Sequence, residues 1–186
     1  MSTTRRLKRA CPRIDRWRAP HPYGARGRAF GDNPLFAGES AMSERNGRCL
    51  CGAVRYRLSA EPVATRVCWC RDCQHIAANG TVNLLVPSLA LDISGELSEY
   101  TSTADSGNRI RRRFCPRCGS HLFGNSSGRP HLTVVRAGTL DDPSSVRPTM
   151  NIWAGSAPAW ACLDSALERV EQQPLPPQPA QGAAPA

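Results

Sequence analysis

The sequence lacks any long apolar run. Across its 186 residues, no stretch approaches the roughly 20 uninterrupted apolar residues that a membrane span requires. The arginines near the first residue are not followed by the apolar segment of a secretory signal. We therefore expect a cytoplasmic protein with no membrane partner. Its length fits one domain with tails, since domains usually hold roughly 100 to 200 residues.

Acidic residues are scarce beside basic ones. The chain has 15 Asp and Glu against 24 Lys and Arg, a formal net charge of +9. Residues 1–41 carry nine basic and three acidic residues, a net +6, whereas the remaining chain carries fifteen and twelve, a net +3. Because a nucleic-acid-binding domain concentrates basic charge on its folded surface, we do not expect a nucleic-acid partner.

Both ends of the chain lack the periodicity of helices and strands. Residues 1–41 scatter Pro, Gly and Arg, and residues 171–186 consist mostly of Pro, Gln and Ala. We predict a disordered basic leader and a flexible tail around a domain at residues 42–170. Met42 is a second candidate start, so removing the leader should leave folding and metal content unchanged. The alternative is an arm that weakly binds a partner or nucleic acid.

Sustained helical periodicity is also absent, and short alternating runs take its place. Val54, Tyr56 and Leu58 alternate with polar residues, which is the pattern of a half-buried strand. Similar runs, mostly separated by turn residues, recur near residues 81–86, 96–102, 109–114, 121–124, 131–138 and 150–155. The sequence predicts a mainly β domain with one short helix, from about Cys73 to Gly80.

The chain does contain many cysteines, nine in all. In a chain without an export signal, thiols serve metals or catalysis more often than disulfides. Two of them stand alone, Cys11 and Cys162. The other seven form three motifs: C-x-C at Cys49 and Cys51, C-x-C-x-x-C at Cys68, Cys70 and Cys73, and C-x-x-C at Cys115 and Cys118.

The first and last motifs together supply four thiolates. In an extended strand, a C-x-C pair directs both sulfurs to one face, and Pro116 and Gly119 favour a turn around the C-x-x-C pair. Four thiolates complete a tetrahedral zinc site, so we predict a structural zinc on Cys49, Cys51, Cys115 and Cys118. Four arginines could balance its negative charge or could simply lie on a strand and loop surface: Arg111, Arg112, Arg113 and Arg117.

The middle motif, CWCRDC, cannot complete a tetrahedron alone. Three protein ligands with one exchangeable position are typical of catalytic zinc sites. A thiolate-rich zinc suits a substrate thiol, and the same ion can polarise an aldehyde, so the motif favours carbon–sulfur bond formation or cleavage. Two alternatives stay open. Cys70 and Cys73 could form a redox dithiol, although a βαβ context is missing, or a fourth ligand could close the site, from His75, His121, His131 or Cys162.

Further motifs accompany the cysteines: CLCGAVRY from Cys49, YTS from Tyr100, RRFCPRCGSHL, AGTLDDP from Ala137, and NIWAGSAPAW. With them, about residues 46–163 resemble the glutathione-dependent formaldehyde-activating enzyme (GFA) family. The resemblance implies an Mss4-like fold of small antiparallel sheets and two zinc ions per chain, one on the four cysteines and one on Cys68, Cys70 and Cys73. It also implies a carbon–sulfur lyase that acts on a thiol–aldehyde adduct such as S-hydroxymethylglutathione.

The chain departs from that family in three places. Trp69 and Asn151 stand where the family commonly has His, and residues 74–79 lack the basic residues often present there. If either His orients substrate or moves a proton, the substrate or the rate differs in this protein. The family also includes centromere-associated proteins without a settled small-molecule reaction. The alternative hypothesis is therefore a binding module with two structural zinc ions and no catalysis.

Overall fold

The computed structural model describes residues 44–174, so the predicted leader and most of the predicted tail lie outside the described residues. Within this range the strands are β1 (Arg45–Arg48), β2 (Arg55–Leu58), β3 (Ala64–Cys68), β4 (Thr81–Pro87), β5 (Leu91–Ser94), β6 (Ser98–Thr103), β7 (Arg109–Phe114), β8 (His121–Ser126), β9 (Leu132–Arg136), β10 (Met150–Ile152) and β11 (Glu168–Arg169). One α-helix, α1, covers Arg71–Ala77. The prediction of a mainly β domain with little helix is confirmed.

The strands form two sheets. β1, β2 and β5 make a three-stranded antiparallel sheet, and the larger sheet has the order β11-β10-β3-β4-β9-β8-β7-β6. Its strand pairs are antiparallel except at β10, which runs parallel to β3 and to β11. Parallel strands need a long connection between them. The alternation of residues within one strand does not show which strands pair or in which direction. The arrangement is consistent with the expected Mss4-like fold. Among residues 44–174, no helix has the length and apolar character to cross a membrane.

The hydrophobic core lies between the small sheet and one face of the large sheet. Tyr56 on β2 meets Phe123 on β8 edge to face, with ring centroids 5.2 Å apart. Leu84 and Val135 are fully buried in the same cluster, and burial of such a side chain contributes roughly 1.5–3 kcal/mol. Gly47 pairs with Tyr56 across the small sheet. A Cβ at Gly47 would lie 2.2 Å from the tyrosine ring, so glycine is required there.

The opposite face of the large sheet positions a different set of side chains. Because alternate residues of a strand point to opposite faces, the register across neighbouring strands decides which residues meet. Arg66, Asn83 and Arg136 form one row across β3, β4 and β9. Gly124 and Arg112 pair in the next row, on β8 and β7. Since glycine carries no side chain, the centre of this face is open.

The helix α1 begins and ends slightly earlier than predicted, at Arg71 and Ala77. Its N-cap is Cys70, whose sulfur accepts a hydrogen bond from the N–H of Cys73 at 3.5 Å. Ala78 adopts a left-handed conformation, with φ 54°, and ends the helix. Cysteine is not among the usual N-cap residues and alanine is not a usual left-handed cap, so the sequence pattern could not locate these ends.

The last described residues continue the edge of the large sheet. The carbonyl of Gln172 accepts a hydrogen bond from the N–H of Trp153 at 3.0 Å, and the carbonyl of Glu171 accepts one from Gly155 at 3.2 Å. Trp153 has a left-handed backbone, with φ 56°, which is uncommon for a bulky residue. The segment after β11 therefore holds the turn that follows β10.

Candidate functional site

The four-cysteine cluster, which consists of Cys49, Cys51, Cys115 and Cys118, joins two turns that are distant in sequence. Its sulfurs lie within 4.8 Å of one another, with 3.5 Å between Cys49 and Cys51 and 3.8 Å between Cys51 and Cys115. In a tetrahedron with Zn–S distances of about 2.3 Å, neighbouring sulfurs are about 3.8 Å apart. The donor set and its spacing therefore fit a metal ion.

The backbone at this cluster corrects one expectation. Cys49 and Cys51 do not lie on an extended strand, because β1 ends one residue earlier and a turn follows it. The N–H of Gly52 donates to the carbonyl of Cys49 at 3.0 Å, and Gly52 has φ 75°. The other turn repeats this design: Gly119, with φ 70°, donates to the carbonyl of Cys115 at 2.9 Å. The turn predicted at Gly119 is confirmed, and a glycine after each cysteine pair is the shared signal.

Hydrogen bonds stabilise negative charge on these sulfurs. The N–H of Val54 donates to the sulfur of Cys49 at 3.3 Å, and the Ser120 hydroxyl lies 3.3 Å from the sulfur of Cys118. Hydrogen bonds from the Ser120 hydroxyl and its backbone N–H lower the pKa of Cys118 to about 5. Such partners hold metal-ligating sulfurs in place and favour their thiolate form.

Four arginines were considered as groups that balance the negative charge of the four-cysteine cluster, and three of them have other contacts. Arg111 lies 3.7 Å from Glu99, and the guanidinium of Arg113 lies 5.1 Å from the ring centroid of Phe123. Arg112 forms an ion pair with Asp72 on the opposite side of the large sheet from the core. The surface and packing interpretation therefore holds for Arg111 and Arg113, and Arg112 serves the region around α1.

The three-cysteine cluster, Cys68, Cys70 and Cys73, forms where β3 ends and α1 begins. Its sulfurs also lie within 4.8 Å of one another, and among residues 44–174 no His, Asp, Glu or other Cys joins them at that spacing. The residues considered as a fourth ligand lie elsewhere: His75, His131 and Cys162 are exposed, and His121 packs against Phe114.

The electrostatics of this cluster favour a bound cation. Hydrogen bonds from the neighbouring sulfurs and the positive charge of Arg136 lower the pKa of Cys73, whereas the neighbouring sulfurs and burial raise the pKa of Cys68. Three adjacent thiolates repel one another, so full deprotonation requires a cation among them. Soft thiolate donors suit zinc and other thiophilic metals, and the cluster therefore fits such an ion.

Arg136 is a site residue that the sequence pattern did not reveal. It ends β9, and its Nη1 lies 3.6 Å from the sulfur of Cys73. The same nitrogen donates to Thr81 Oγ1 at 2.8 Å and to Asn83 Oδ1 at 2.5 Å, which fixes the guanidinium beside the cluster. Its only sequence signal is a charged residue that closes an apolar strand, LTVVR.

A cavity of about 510 Å³ opens beside the three-cysteine cluster. Its walls are the open face of the large sheet, the start of α1, residues 103–105 and Trp153. No cysteine of the four-cysteine cluster lines this cavity. The volume lies within the roughly 300–1,000 Å³ of small-molecule sites. Of the two clusters, the three-cysteine cluster is therefore the one that borders this cavity.

The two positions that depart from the GFA pattern contact each other. Trp69 Nε1 donates to Asn151 Oδ1 at 3.2 Å, and Asn151 Nδ2 donates to the carbonyl of Asp164 at 3.2 Å. Both side chains are buried, and neither lines the cavity. The ring of Trp69 lies against Gly80, where a Cβ would be 2.8 Å from it. The pair therefore packs beneath the loop that carries the three cysteines.

Comparison with known proteins gives one family match. Residues 44–156 match the family described as glutathione-dependent formaldehyde-activating enzyme, and this span includes both cysteine clusters. No curated protein sequence matches the chain. The chain is also similar to a Rhodobacter sphaeroides protein whose crystal structure was determined as a Northeast Structural Genomics target. The two sequences are 21% identical, and the match covers 55% of this chain and 91% of that protein's chain, with a TM-score of 0.44.

Proposed function

Because the chain belongs to the glutathione-dependent formaldehyde-activating enzyme family, we propose that it is a zinc-dependent carbon–sulfur lyase-like enzyme. Its substrate is a thiol, or the adduct of a thiol with an aldehyde, of which S-hydroxymethylglutathione is an example. The reacting centre is the three-cysteine cluster, and the four-cysteine cluster is a structural zinc site. Two zinc ions per chain follow from this division.

The observation that carries the proposal is the position of the cavity. The three-cysteine cluster offers three sulfurs and borders a space of about 510 Å³. The four-cysteine cluster offers a complete tetrahedral donor set and borders none of that space. Catalytic zinc sites keep one coordination position for water or substrate, whereas structural sites are filled by protein ligands. The two clusters match these two designs.

The chemistry needs no further reactant. A zinc ion on the three cysteines would act as a Lewis acid that lowers the pKa of a substrate thiol or polarises a carbonyl. In adduct formation the sulfur bonds to the carbonyl carbon, the C=O π bond opens, and the thiol proton is replaced by one on the oxygen. The lyase direction reverses each change. The cavity walls hold thiol and aldehyde together, which accelerates a bimolecular step.

Arg136 supports this chemistry from the side of Cys73. Three thiolates on a divalent ion leave a formal charge of −1, and a substrate thiolate would add another. The guanidinium, fixed by Thr81 and Asn83, lies 3.6 Å from the Cys73 sulfur and offsets part of that charge. We assign Arg136 a positioning and electrostatic role, in which it forms and breaks no covalent bond.

The burial of Trp69 and Asn151 bears on the departures from the family. Neither side chain lines the cavity, so Trp69 and Asn151 leave the space beside the three cysteines open. Their mutual hydrogen bond supports a packing role for the pair. We therefore propose that the family reaction type is retained.

The test uses cobalt substitution, since Co²⁺ reports its ligands by absorption. We expect two metal ions per wild-type chain and one per Cys70→Ser chain. Small thiols should change the absorption of the wild-type cobalt protein and should not change that of the variant. Exchange between formaldehyde, thiol and adduct, followed by NMR, should be faster with wild-type zinc protein than with the Cys70→Ser protein. If no small thiol alters the cobalt spectrum, both sites are structural and the protein is a binding module.

A further inference from the structure

The strand β6 forms one edge of the large sheet and is open on its outer side. Within residues 44–174 it pairs with β7 alone, and no other backbone group of that range bonds to it. Its central residues Glu99, Tyr100 and Thr101 are exposed, and Tyr100 keeps 61% of its surface in solvent. An open edge presents a row of unpaired N–H and C=O groups that a further strand can bind.

The other sheet edges in the described range are protected, and β6 is not. The edge strand β11 has only two residues, and β5 has four, including the exposed Asp92. β1 is covered, because the N–H of Asp141 donates to the carbonyl of Asn46 at 2.9 Å. β6 has six residues and contains neither Pro nor Lys. Proteins commonly block an edge with short strands, a covering segment, Pro or Lys, so β6 is the edge that is suited to pairing.

The hydrogen bonds after β6 show which of its backbone groups point outward. The N–H of Ala104, directly after the strand, donates to the carbonyl of Asn108 on the β7 side at 2.9 Å. Because bonded and unbonded positions alternate along an antiparallel pair, the even-numbered residues of β6 bond to β7. The odd-numbered residues direct their N–H and C=O groups away from the sheet, and these are Glu99, Thr101 and Thr103.

A second copy of β6 fits this edge best in one register. Two antiparallel edges bond only where outward-directed residues face each other, so odd-numbered residues must meet odd-numbered ones. Centred on Thr101, the pairing places Thr101 opposite its own copy and Glu99 opposite Thr103. All three outward residues of each copy then take part, with roughly six hydrogen bonds, two in each of three pairs. Centring on Tyr100 uses only two of the three, and centring on Glu99 places two carboxylates face to face.

We propose that β6 is a self-association surface, at which two copies of this chain join their large sheets about a twofold axis at Thr101. Twofold pairing through one shared surface is the commonest arrangement of identical chains. The arginines of β7 permit it. Arg111 lies beside Thr101, so the two copies of Arg111 are three strand spacings apart, about 14 Å, which exceeds the Debye length of about 8 Å. The proposal does not depend on the proposed function.

The pairing also places a residue of one copy at the cavity of the other. Ser102 lies on the cavity side of the sheet, because Arg112, which lines the cavity, donates to its hydroxyl at 2.8 Å. Ala104 lines the cavity as well. In the register centred on Thr101, Tyr100 of one copy lies opposite Ser102 of the other and diagonal to Ala104. Tyr100 thus extends the rim of the second copy's cavity.

The experiment measures the association of the full chain by sedimentation equilibrium, with amide hydrogen exchange recorded at each protein concentration. We expect a dimer that forms as the concentration rises. Exchange at Glu99, Thr101 and Thr103 should slow with dimer formation, because these amides gain partners. Exchange at Tyr100 and Ser102 should not change with concentration, because their amides already bond to β7 in the single chain.

Opposite charges at one position locate the interface. Thr103→Glu places two pairs of like charges across the twofold axis, against Glu99, and should weaken association at least tenfold. Thr103→Lys creates two pairs of opposite charges there and should strengthen it. Within one chain the order reverses, because Thr103 pairs with Arg109 on β7, so unfolding does not account for weaker association of Thr103→Glu. Ser144→Glu and Ser144→Lys, at an exposed residue before β10, are the matched controls and should associate as the wild type does.

Three results would overturn the proposal. The first is a wild-type chain that stays monomeric up to about 1 mM, the weakest association that matters here. The second is a dimer in which the odd-numbered amides of β6 exchange as fast as in the monomer. The third is a dimer that both Thr103 variants shift in the same direction. If a variant does not fold, the exchange pattern of the wild-type protein decides.

Discussion

The two cysteine clusters use the same ligand chemistry in two different settings. The four-cysteine cluster lies at two turns whose cysteines Cys49 and Cys115 belong to the main hydrophobic core. The three-cysteine cluster lies at the junction of β3 and α1, in a separate small cluster, and borders the cavity. In the proposed division of roles, the type of ligand is therefore the same at the structural and the reactive site. The two clusters differ in the number of cysteines and in the cavity beside them.

The neighbours of the sulfurs differ as well. At the four-cysteine cluster, backbone N–H groups and Ser120 stabilise the thiolates. At the three-cysteine cluster, a full positive charge on Arg136 lies next to Cys73. Under the proposed function, neutral donors suffice at the four-cysteine cluster, where the ligands of the ion would not change. The negative charge at the three-cysteine cluster would rise when substrate binds, so a nearby cation would stabilise that site.

The largest expected effect is on folding, and it compares one ligand from each cluster. Cys115→Ser should lower the free energy of unfolding by several kcal/mol or abolish folding, because metal binding at a closed site is folding energy. Cys73→Ser should remove one metal ion with a much smaller loss. Thermal melting and metal analysis of both variants measure this. Equal losses in melting temperature would contradict the assignment of structural and reactive roles.

A second prediction concerns Arg136. Arg136→Gln should weaken metal binding at the three-cysteine cluster by about 10- to 100-fold, as is usual when a group beside a metal ligand is lost. Binding at the four-cysteine cluster should not change. Competition with a chromophoric chelator measures both affinities, and Arg136→Lys, which retains the charge, is the matched control. Unchanged affinity in Arg136→Gln would remove the electrostatic role proposed here.

Alkaline pH should weaken the core that contains the four-cysteine cluster. Burial raises the pKa of Tyr56 to about 12, against about 10 in an unfolded chain. Its contribution to stability is fully present below about pH 10 and is lost as the pH rises through about 12, a change of about 3 kcal/mol. Urea unfolding between pH 8 and 11 should fall less steeply for Tyr56→Phe. Parallel profiles for the two proteins would contradict this.

The smallest expected effect is on the loop beneath the three-cysteine cluster. Trp69→Phe removes the donor to Asn151 Oδ1 and leaves a buried acceptor with one fewer partner, at a cost of about 1–3 kcal/mol. Both metal ions should stay bound. Chemical unfolding with metal analysis tests this, and Trp160→Phe at an exposed tryptophan is the control. Loss of the second metal would show that the pair positions the ligands directly.

The sequence predicted what depends on local periodicity and spacing. Alternation in RIRRRF coincides with β7, and Gly119 marked the turn at the second cysteine pair. Both groups of cysteines that the spacing suggested are brought together. These features depend on backbone preferences within a few residues, so one chain suffices to find them.

What could not be predicted depends on register across the sheet. Arg136 and Asn83 meet near Cys73 because β9 pairs with β4 in one particular register, and nothing within either strand encodes that pairing. The contact between Trp69 and Asn151 likewise joins residues that are far apart in sequence. The cavity could not be predicted for the same reason, because its walls come from at least eight separate segments of the chain.

Gly124, whose side chain is a single hydrogen atom, lines the cavity near the centre of the large sheet and leaves space there for a ligand. A methyl group at Gly124 would meet its nearest neighbour, the Cβ of Val134, at 3.7 Å, which is an ordinary contact. Alanine, valine and leucine at this position would therefore form a graded series that reduces the volume of the cavity without replacing a cysteine or an arginine of its lining. Residue 124 is thus a natural place to engineer the size of molecule that this scaffold admits.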